Sequence, residues 1–269
     1  MTETDAAPAP PAPMAAAVAR EMDGAVAVLT MQHGPHNLLG DRLVGELFAA
    51  LEWAVGAGAR AVVLRSGLRH FSAGAEMAAF ASHLRGEAPD LPLVELLRAF
   101  DSTPVPIVAS VHGVCVGGGL ELALACDLVI AAESSKLGSV EAALGLHPLM
   151  GAIQRVAQRA GAARAKEMAM LARRYDAATL ERWNVINRVV PDAQLGPVTM
   201  TLAHELANGP TLAHAATKRL VSIAEAQGVH AADESMREVQ AGIWASEDLK
   251  GGIASLNAKG PGFARFEGR

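Results

Sequence analysis

Two glutamates and a run of three glycines are the residues of this chain whose types and spacing could do chemistry. Residues 116–121 read Val-Gly-Gly-Gly-Leu-Glu, and a second isolated glutamate, Glu141, follows on the far side of an apolar run. Consecutive glycines before a helical stretch, Leu120 to Cys126, let the backbone come very close to another group. They also leave the N–H groups of a helix start unpaired, where negative charge is stabilised. Two carboxylates within reach of such a spot could move protons while the N–H groups hold an oxyanion, which is the chemistry of an enzyme that stabilises an enolate or a similar anion. Glu121 lies three residues after Gly118 and so faces the same side of the first helical turn. A solvated first-turn glutamate favoured by the helix dipole has the same spacing, and a glycine triplet also suits tight helix–strand packing. The stretch from Leu120 to Cys126 covers about 10 Å as a helix. A following strand can retrace that length and bring Glu141 back beside Glu121.

A second loop of small residues, Phe71-Ser72-Ala73-Gly74-Ala75-Glu76, follows an apolar strand at Ala61 to Leu64. Two such loops, each ending a strand, could each donate one N–H to the same oxygen. The elements that must position them are legible from periodicity. Ala25 to Met31, Pro106 to Val111 and Leu128 to Ala131 read as further strands, apolar almost throughout, as expected when both faces of a sheet are covered. Leu43, Val44, Leu47, Phe48, Leu51 and Val55 recur at helical spacing between the first two. Strands alternating with helices indicate an α/β core built from βαβ crossovers. Beyond about residue 148 helical periodicity dominates, over Ile153–Leu171, Ala178–Trp183, Leu195–Leu206, Leu212–Glu225 and Ala231–Ala245, with one short strand at Asn187–Val190.

Composition narrows the classes further. The 269 residues are 51% hydrophobic but only 4% aromatic, so Ala, Val and Leu must fill the core. A formal net charge of -5 argues against a nucleic-acid partner held by a basic face. Cys115 and Cys126, the two cysteines, can build neither a disulfide framework nor a metal cluster, which points to a reducing, cytoplasmic setting. Histidines are scattered without a zinc motif, and no Gly-x-Ser-x-Gly elbow is present. No apolar run approaches the roughly 20 residues that span a bilayer. The expected organisation is a disordered Ala/Pro-rich arm over residues 1–17, a core over 18–195 and a helical region over 196–269.

From about Val18 to Phe263 the chain resembles the crotonase, or enoyl-CoA hydratase/isomerase, superfamily. The resemblance is carried by His36-Asn37-Leu38, Phe71 to Glu76, Pro106 to Gly113, Gly117-Gly118-Gly119-Leu120-Glu121, Leu137-Gly138-Ser139-Val140-Glu141, Arg174-Tyr175-Asp176-Ala177 and Val189-Val190-Pro191. It implies a repeated ββα spiral core whose C-terminal helices build a trimer or a dimer of trimers. It also implies a coenzyme A thioester as ligand, with no cofactor beyond the CoA that the substrate carries, and neither a metal nor a membrane. By position, Ala75 and Gly118 match the two residues whose N–H groups form the family's oxyanion hole. Ala73 matches a main-chain contact to the adenine, and Lys259 a lysine that reaches CoA phosphates from a neighbouring subunit.

Glu121 and Glu141 match the paired glutamates of the family's hydratases, which hold and activate water for addition at Cβ. The resemblance thus implies an enoyl-CoA hydratase. The alternatives are a double-bond isomerase using Glu141 alone, or a non-catalytic CoA-binding subunit. Several positions depart from the pattern. Leu149 stands for a glycine beside the catalytic water, where it narrows the acyl pocket or disturbs that water. Glu76 stands for an aspartate beside the hole, Gly251 for a glutamate and Asn184 for a glycine in a left-handed turn, while Gly260-Pro261 interrupts a basic cluster after Lys259.

Overall fold

Strands that are apolar on both faces need cover on both, and the chain supplies it with helices from its two halves. The computed structural model describes residues 15–87 and 91–269; residues 1–14, most of the expected arm, lie outside the described residues. A six-stranded sheet forms from β1 (Val18–Asp23), β2 (Val26–Met31), β3 (Ala61–Ser66), β4 (Ile107–Val111), β6 (Leu128–Ala132) and β9 (Arg188–Val190) in that spatial order. The β1–β2 hairpin is antiparallel and every other neighbour pair is parallel. Between these strands lie α1 (Asp41–Gly56), α2 (Met77–Leu84), α3 (Leu93–Ser102), β5 (Val114–Val116), α4 (Gly118–Ala125), β7 (Lys136–Gly138) and a 3₁₀ turn at Glu141–Leu144. They are followed by α5 (Ala152–Ala160), α6 (Ala162–Leu171), β8 (Tyr175–Asp176) and α7 (Ala177–Arg182). The chain closes with α8 (Leu195–Ala207), α9 (Thr211–Gln227), α10 (Val229–Val239), α11 (Ala241–Ala245) and α12 (Glu247–Lys259).

Side chains alternate between the two faces of the sheet. Leu29, Val62, Leu64, Ile107 and Ala109 join Leu43 and Leu47 of α1, Leu96 and Phe100 of α3 and Leu120 of α4 in the main core. On the opposite face Val26, Val28, Ala61 and Val63 pack against Ala203 and Ala207 of α8, and Val108 and Ile130 meet Leu195. Four of the parallel strands, β2, β3, β4 and β6, then step into a second layer before the next helix begins. Leu39 bridges to Ala75, Ser72 bridges to Cys115, β5 pairs with β7, and β7 with β8. The chain thus repeats strand, short step and helix four times, which is the spiral the resemblance implies. The steps are too short to register as strands by periodicity, and of the short strands only β9 is read from the sequence.

Other differences have local causes. The helical stretch Ile153–Leu171 is two helices, because Gly161 has φ 84 and breaks the ladder. The stretch Ala231–Ala245 is divided at Gln240, which ends α10 and precedes α11 while keeping φ -87. Strand β1 escapes periodicity because half of its residues, Val-Ala-Arg-Glu-Met-Asp, are charged and it lies at the sheet edge. Just before it Ala17 is buried, and its carbonyl accepts from Gln32 N–H. Helix α12 contains Gly251 and Gly252, which depress its intrinsic propensity. Asn184 adopts φ 61, the left-handed conformation that asparagine tolerates.

Candidate active site

Two strand ends and two helix starts meet around a cavity of about 220 Å3. Its lining includes Ala73, Gly74 and Ala75 from the step after β3, Gly117 and Gly118 at the start of α4, Glu121 one turn on, and Glu141. Six of the seven residues singled out from sequence are therefore in one place: Ala73, Ala75, Gly118, Glu121, Glu141 and Leu149. Lys259, exposed at the C-terminal end of α12, is not among the residues that line the cavity.

The backbone of the two loops is fixed by hydrogen bonds that leave particular N–H groups over. Ser72 N–H donates to the Val114 carbonyl and Val116 N–H to the Ser72 carbonyl, while Leu39 N–H donates to the Gly74 carbonyl. Among the described residues the N–H groups of Ala75 and Gly118 donate to no backbone group. A β-carbon placed on Gly118 would lie 3.8 Å from the Ala75 nitrogen, and one on Gly74 would lie 3.9 Å from the Gly118 nitrogen, so the two N–H groups are neighbours. Ala73 donates its own N–H to the His36 carbonyl, and among the described residues its carbonyl accepts no backbone N–H.

The three glycines have separate duties. Gly117 has φ 56, which an L side chain rarely adopts, and the place its β-carbon would take is 3.5 Å from Glu141 Oε1. Gly118 opens α4. Gly119 is a packing glycine, because a β-carbon there would stand 2.6 Å from the Ser72 carbonyl oxygen. Asn37 knits the same region. Fully buried with φ 50, it accepts from His33 N–H at 2.8 Å and donates to Ser66 Oγ at 2.8 Å and to the Phe71 carbonyl at 3.0 Å. Ser72 Oγ in turn donates to the Asn37 carbonyl at 2.7 Å.

Glu121 is 3% exposed, which removes the reading of a solvated first-turn residue. Its Oε1 accepts the N–H of Met150 at 2.6 Å and that of Ala152 at 3.3 Å. Burial nevertheless pushes its carboxyl up to about 7; the Glu141 charge adds to the rise, while the two N–H bonds and the Arg155 charge oppose it. Glu141 accepts from Ser139 Oγ at 2.6 Å through Oε2, and its buried Oε1 has no hydrogen-bond partner. One carboxylate is thus clamped, and the other carries an unpaired oxygen.

Leu149 lies in the segment between the 3₁₀ turn and α5, 40% exposed and facing the cavity with Leu144, Leu146 and Met77. Glu76 does not line the cavity. Its carboxylate rests over Gly40 at the start of α1, where a helix N-terminus favours negative charge. The residues that sequence reasoning did not assign are Asn37, Ser72, Ser139 and the N–H pair of Met150 and Ala152. Ser139 had a signal, standing two residues before Glu141. Among the described residues no cluster of three or more His, Cys, Asp or Glu could hold a metal, and no helix is long and apolar enough to cross a membrane.

The clefts and layers above are those of an α/β protein with a paired-carboxylate, paired-N–H site. The enoyl-CoA hydratase/isomerase family model matches residues 21–264, and the chain belongs to that family, within the crotonase superfamily. It is 32% identical over 253 residues to a probable enoyl-CoA hydratase of Rhizobium meliloti, covering 89% of this chain and 94% of the relative. It is 40% identical over 157 residues to a probable enoyl-CoA hydratase of Bacillus subtilis, a match that spans 56% of this chain and 60% of that relative's length. The structure of an enoyl-CoA hydratase from Bacillus anthracis superposes with a TM-score of 0.86 at 25% identity, covering 94% of this chain and 100% of the other.

Proposed function

We propose that the protein is an enoyl-CoA hydratase that adds water across the 2,3 double bond of a 2-trans-enoyl-CoA. The observation that carries this reading is the single cavity holding Glu121, Glu141 and the unpaired N–H groups of Ala75 and Gly118. The thioester oxygen is held by those two N–H groups, which stabilise the negative charge that develops as the enolate forms. A water between the two carboxyl groups adds its oxygen to Cβ, its proton passes to a carboxylate, and a proton is returned to Cα, so that H and OH are both accounted for. A buried carboxyl near pH 7 is suited to such exchange, because it neither holds nor surrenders its proton strongly. The reaction needs no redox step, and the only cofactor in this reading is the CoA of the substrate.

The proposal extends to assembly and setting. Val229 (71% exposed) and Trp244 (68% exposed) present apolar surface on α10 and α11, which supports burial in a homotrimer or a dimer of trimers. In such an assembly Lys259 would meet the CoA phosphates of a neighbouring subunit. Both cysteines are free and buried, in keeping with a cytoplasmic location.

One observation favours double-bond isomerisation as a second reading. Glu121 is already engaged by two backbone N–H groups, which leaves Glu141 as the carboxylate with a free buried oxygen. The two are separated by assaying Glu121→Gln and Glu141→Gln against 2-enoyl and 3-enoyl thioesters, following the conjugated thioester absorbance. Hydration requires both variants to lose turnover of the 2-enoyl substrate. Intact hydration by Glu121→Gln overturns it, and binding of acyl-CoA without turnover of either substrate by the wild type points to a non-catalytic CoA-binding subunit.

A further inference from the structure

Arg155 stands one turn into α5, directly behind the backbone that clamps Glu121. Its Nη1 occupies the space beside Gly151, 2.6 Å from where a β-carbon on that glycine would be, and Leu97 Cδ1 of α3 lies 3.1 Å from the same point. Gly151 has φ 89, and this left-handed turn lets the N–H groups on either side of it, of Met150 and Ala152, converge on one carboxylate oxygen. One turn beyond Leu97, Asp101 accepts from Arg155 Nη2 at 3.3 Å and 3.5 Å through its two oxygens. The face of α3 therefore supports the Glu121 clamp twice, through an apolar contact and through an ion pair.

Among the other charges around Arg155, Asp127, Lys218 and Arg159 have partners of their own, and Glu225 acts on Arg159 through its charge. Arg155 lines a cavity of about 270 Å3 together with Asp101, Asp127, Arg159, Lys218 and Glu225. Lys218 bonds Asp127 at 2.7 Å, and Arg159 donates to the Val185 and Leu124 carbonyls. On the Glu121 side the charged groups acting on the carboxyl are Glu141, which raises its pKa, and Arg155, which lowers it.

We infer that the Asp101–Arg155 ion pair is a positioning device for the reaction, holding the first turn of α5 so that Met150 and Ala152 aim at Glu121. Arg155 touches no lining residue's reactive oxygen; it acts through the backbone and through its charge. The inference rests on the hydratase reading only for its kinetic readout. Without the guanidinium, the turn at Gly151 loses its support and Glu121 loses a positive charge that favours its carboxylate. Its carboxyl then holds its proton to higher pH.

The test compares Arg155→Gln, Arg155→Lys, Asp101→Asn and the Arg155→Gln/Asp101→Asn double variant. Glu121 is titrated by its carboxyl infrared band, taken as the difference from the same protein carrying Glu121→Gln, alongside the pH profile of kcat. In Arg155→Gln the Glu121 titration and the matching limb of the kcat profile move up by about one pH unit. At neutral pH kcat falls about tenfold with KM little changed. Arg155→Lys restores the titration but not all of kcat, because an ammonium lacks the guanidinium fork. Asp101→Asn moves both readouts in the same direction by less, as the guanidinium is drawn off Gly151 toward Asp127 and Glu225. The double variant goes no further than Arg155→Gln, as expected for residues acting as one unit. Asp101 is half-exposed, so Asp101→Asn carries the test if Arg155→Gln folds poorly. Unmoved or downward titration in these variants overturns the inference. A wild type that hydrates no 2-enoyl thioester sinks the hydratase reading instead, while the infrared titration still judges the ion pair.

Discussion

The amide N–H of Met150 donates to Glu121 Oε1 at 2.6 Å across 29 residues of chain. The bond ties the start of α5 to the first turn of α4, and it fixes one of the two carboxyl groups before any ligand arrives. It also sets up an opposition. A charge-assisted bond favours the carboxylate, yet burial outweighs it and holds the proton on to about pH 7.

That balance makes stability depend on pH with a definite sign. The ordinary Glu121 value of 4.5 applies to the unfolded chain and about 7 to the folded one. Between these values the native state binds more protons than the unfolded state, so stability falls as pH rises through the window. The contribution is present in full below about pH 4.5 and is lost by about pH 7, on the order of 3 kcal/mol in all. Glu121→Gln removes the titrating group while keeping an oxygen for the Met150 and Ala152 N–H groups. Thermal melting of both proteins from pH 4 to pH 8 should show the wild type losing stability relative to the variant as pH rises. A constant difference would mean that Glu121 titrates as an ordinary carboxyl.

A different residue controls the paired N–H groups. A β-carbon on Gly119 would meet the Ser72 carbonyl oxygen at 2.6 Å and Ser72 Cβ at 2.7 Å. Neither is the tip of a flexible side chain, so the step from Ser72 to Ala75 must move as a unit and carry the Ala75 N–H away from that of Gly118. Gly119→Ala should therefore lower kcat for a 2-enoyl thioester by a factor on the order of 10², comparable to losing one donor. Kinetics on the purified variant check this directly. A kcat within threefold of wild type would show that the loop accommodates the methyl group without separating the donors.

How much of this was legible in the sequence depends on how local each feature is. The loop from Phe71 to Glu76 and the segment from Gly117 to Glu121 could be selected because each follows a strand in a run of small residues. Ala75 is singled out within its loop by the family resemblance, and the structure gathers Ala75, Gly118 and Glu121 around one cavity. Glu141 was a weaker selection, resting on a plausible path for the chain, yet its Oε1 lies near Gly117. The N–H pair of Met150 and Ala152 carries no residue-type signal at all, since any non-proline backbone can donate. Asn37 and the Asp101–Arg155 pair join segments that only the spiral brings together, at separations of 29 residues for Asn37 to Ser66 and 54 for Arg155 to Asp101. The long strands followed from apolar runs. The short steps that build the second layer did not, although they hold both N–H donors.

In the hydratase reading, Leu149 offers direct control over which acyl group fits. Its side chain faces the cavity, while the next residue donates the N–H that clamps Glu121, so substitution at Leu149 changes the wall without removing the clamp. The neighbouring lining of Leu144, Leu146 and Met77 is apolar, and a methylene placed against such a wall contributes about 0.8 kcal/mol when fully buried. Leu149→Ala enlarges this end of the cavity, so kcat/KM for long-chain enoyl-CoAs should rise relative to short ones, by about fourfold per accommodated methylene at most. Leu149→Phe fills the same space and should shift preference toward the shortest chains. A series of 2-enoyl-CoAs of increasing length, assayed with the wild type and both variants, measures the effect. Parallel chain-length profiles for all three proteins would show that the acyl group leaves the site by another wall.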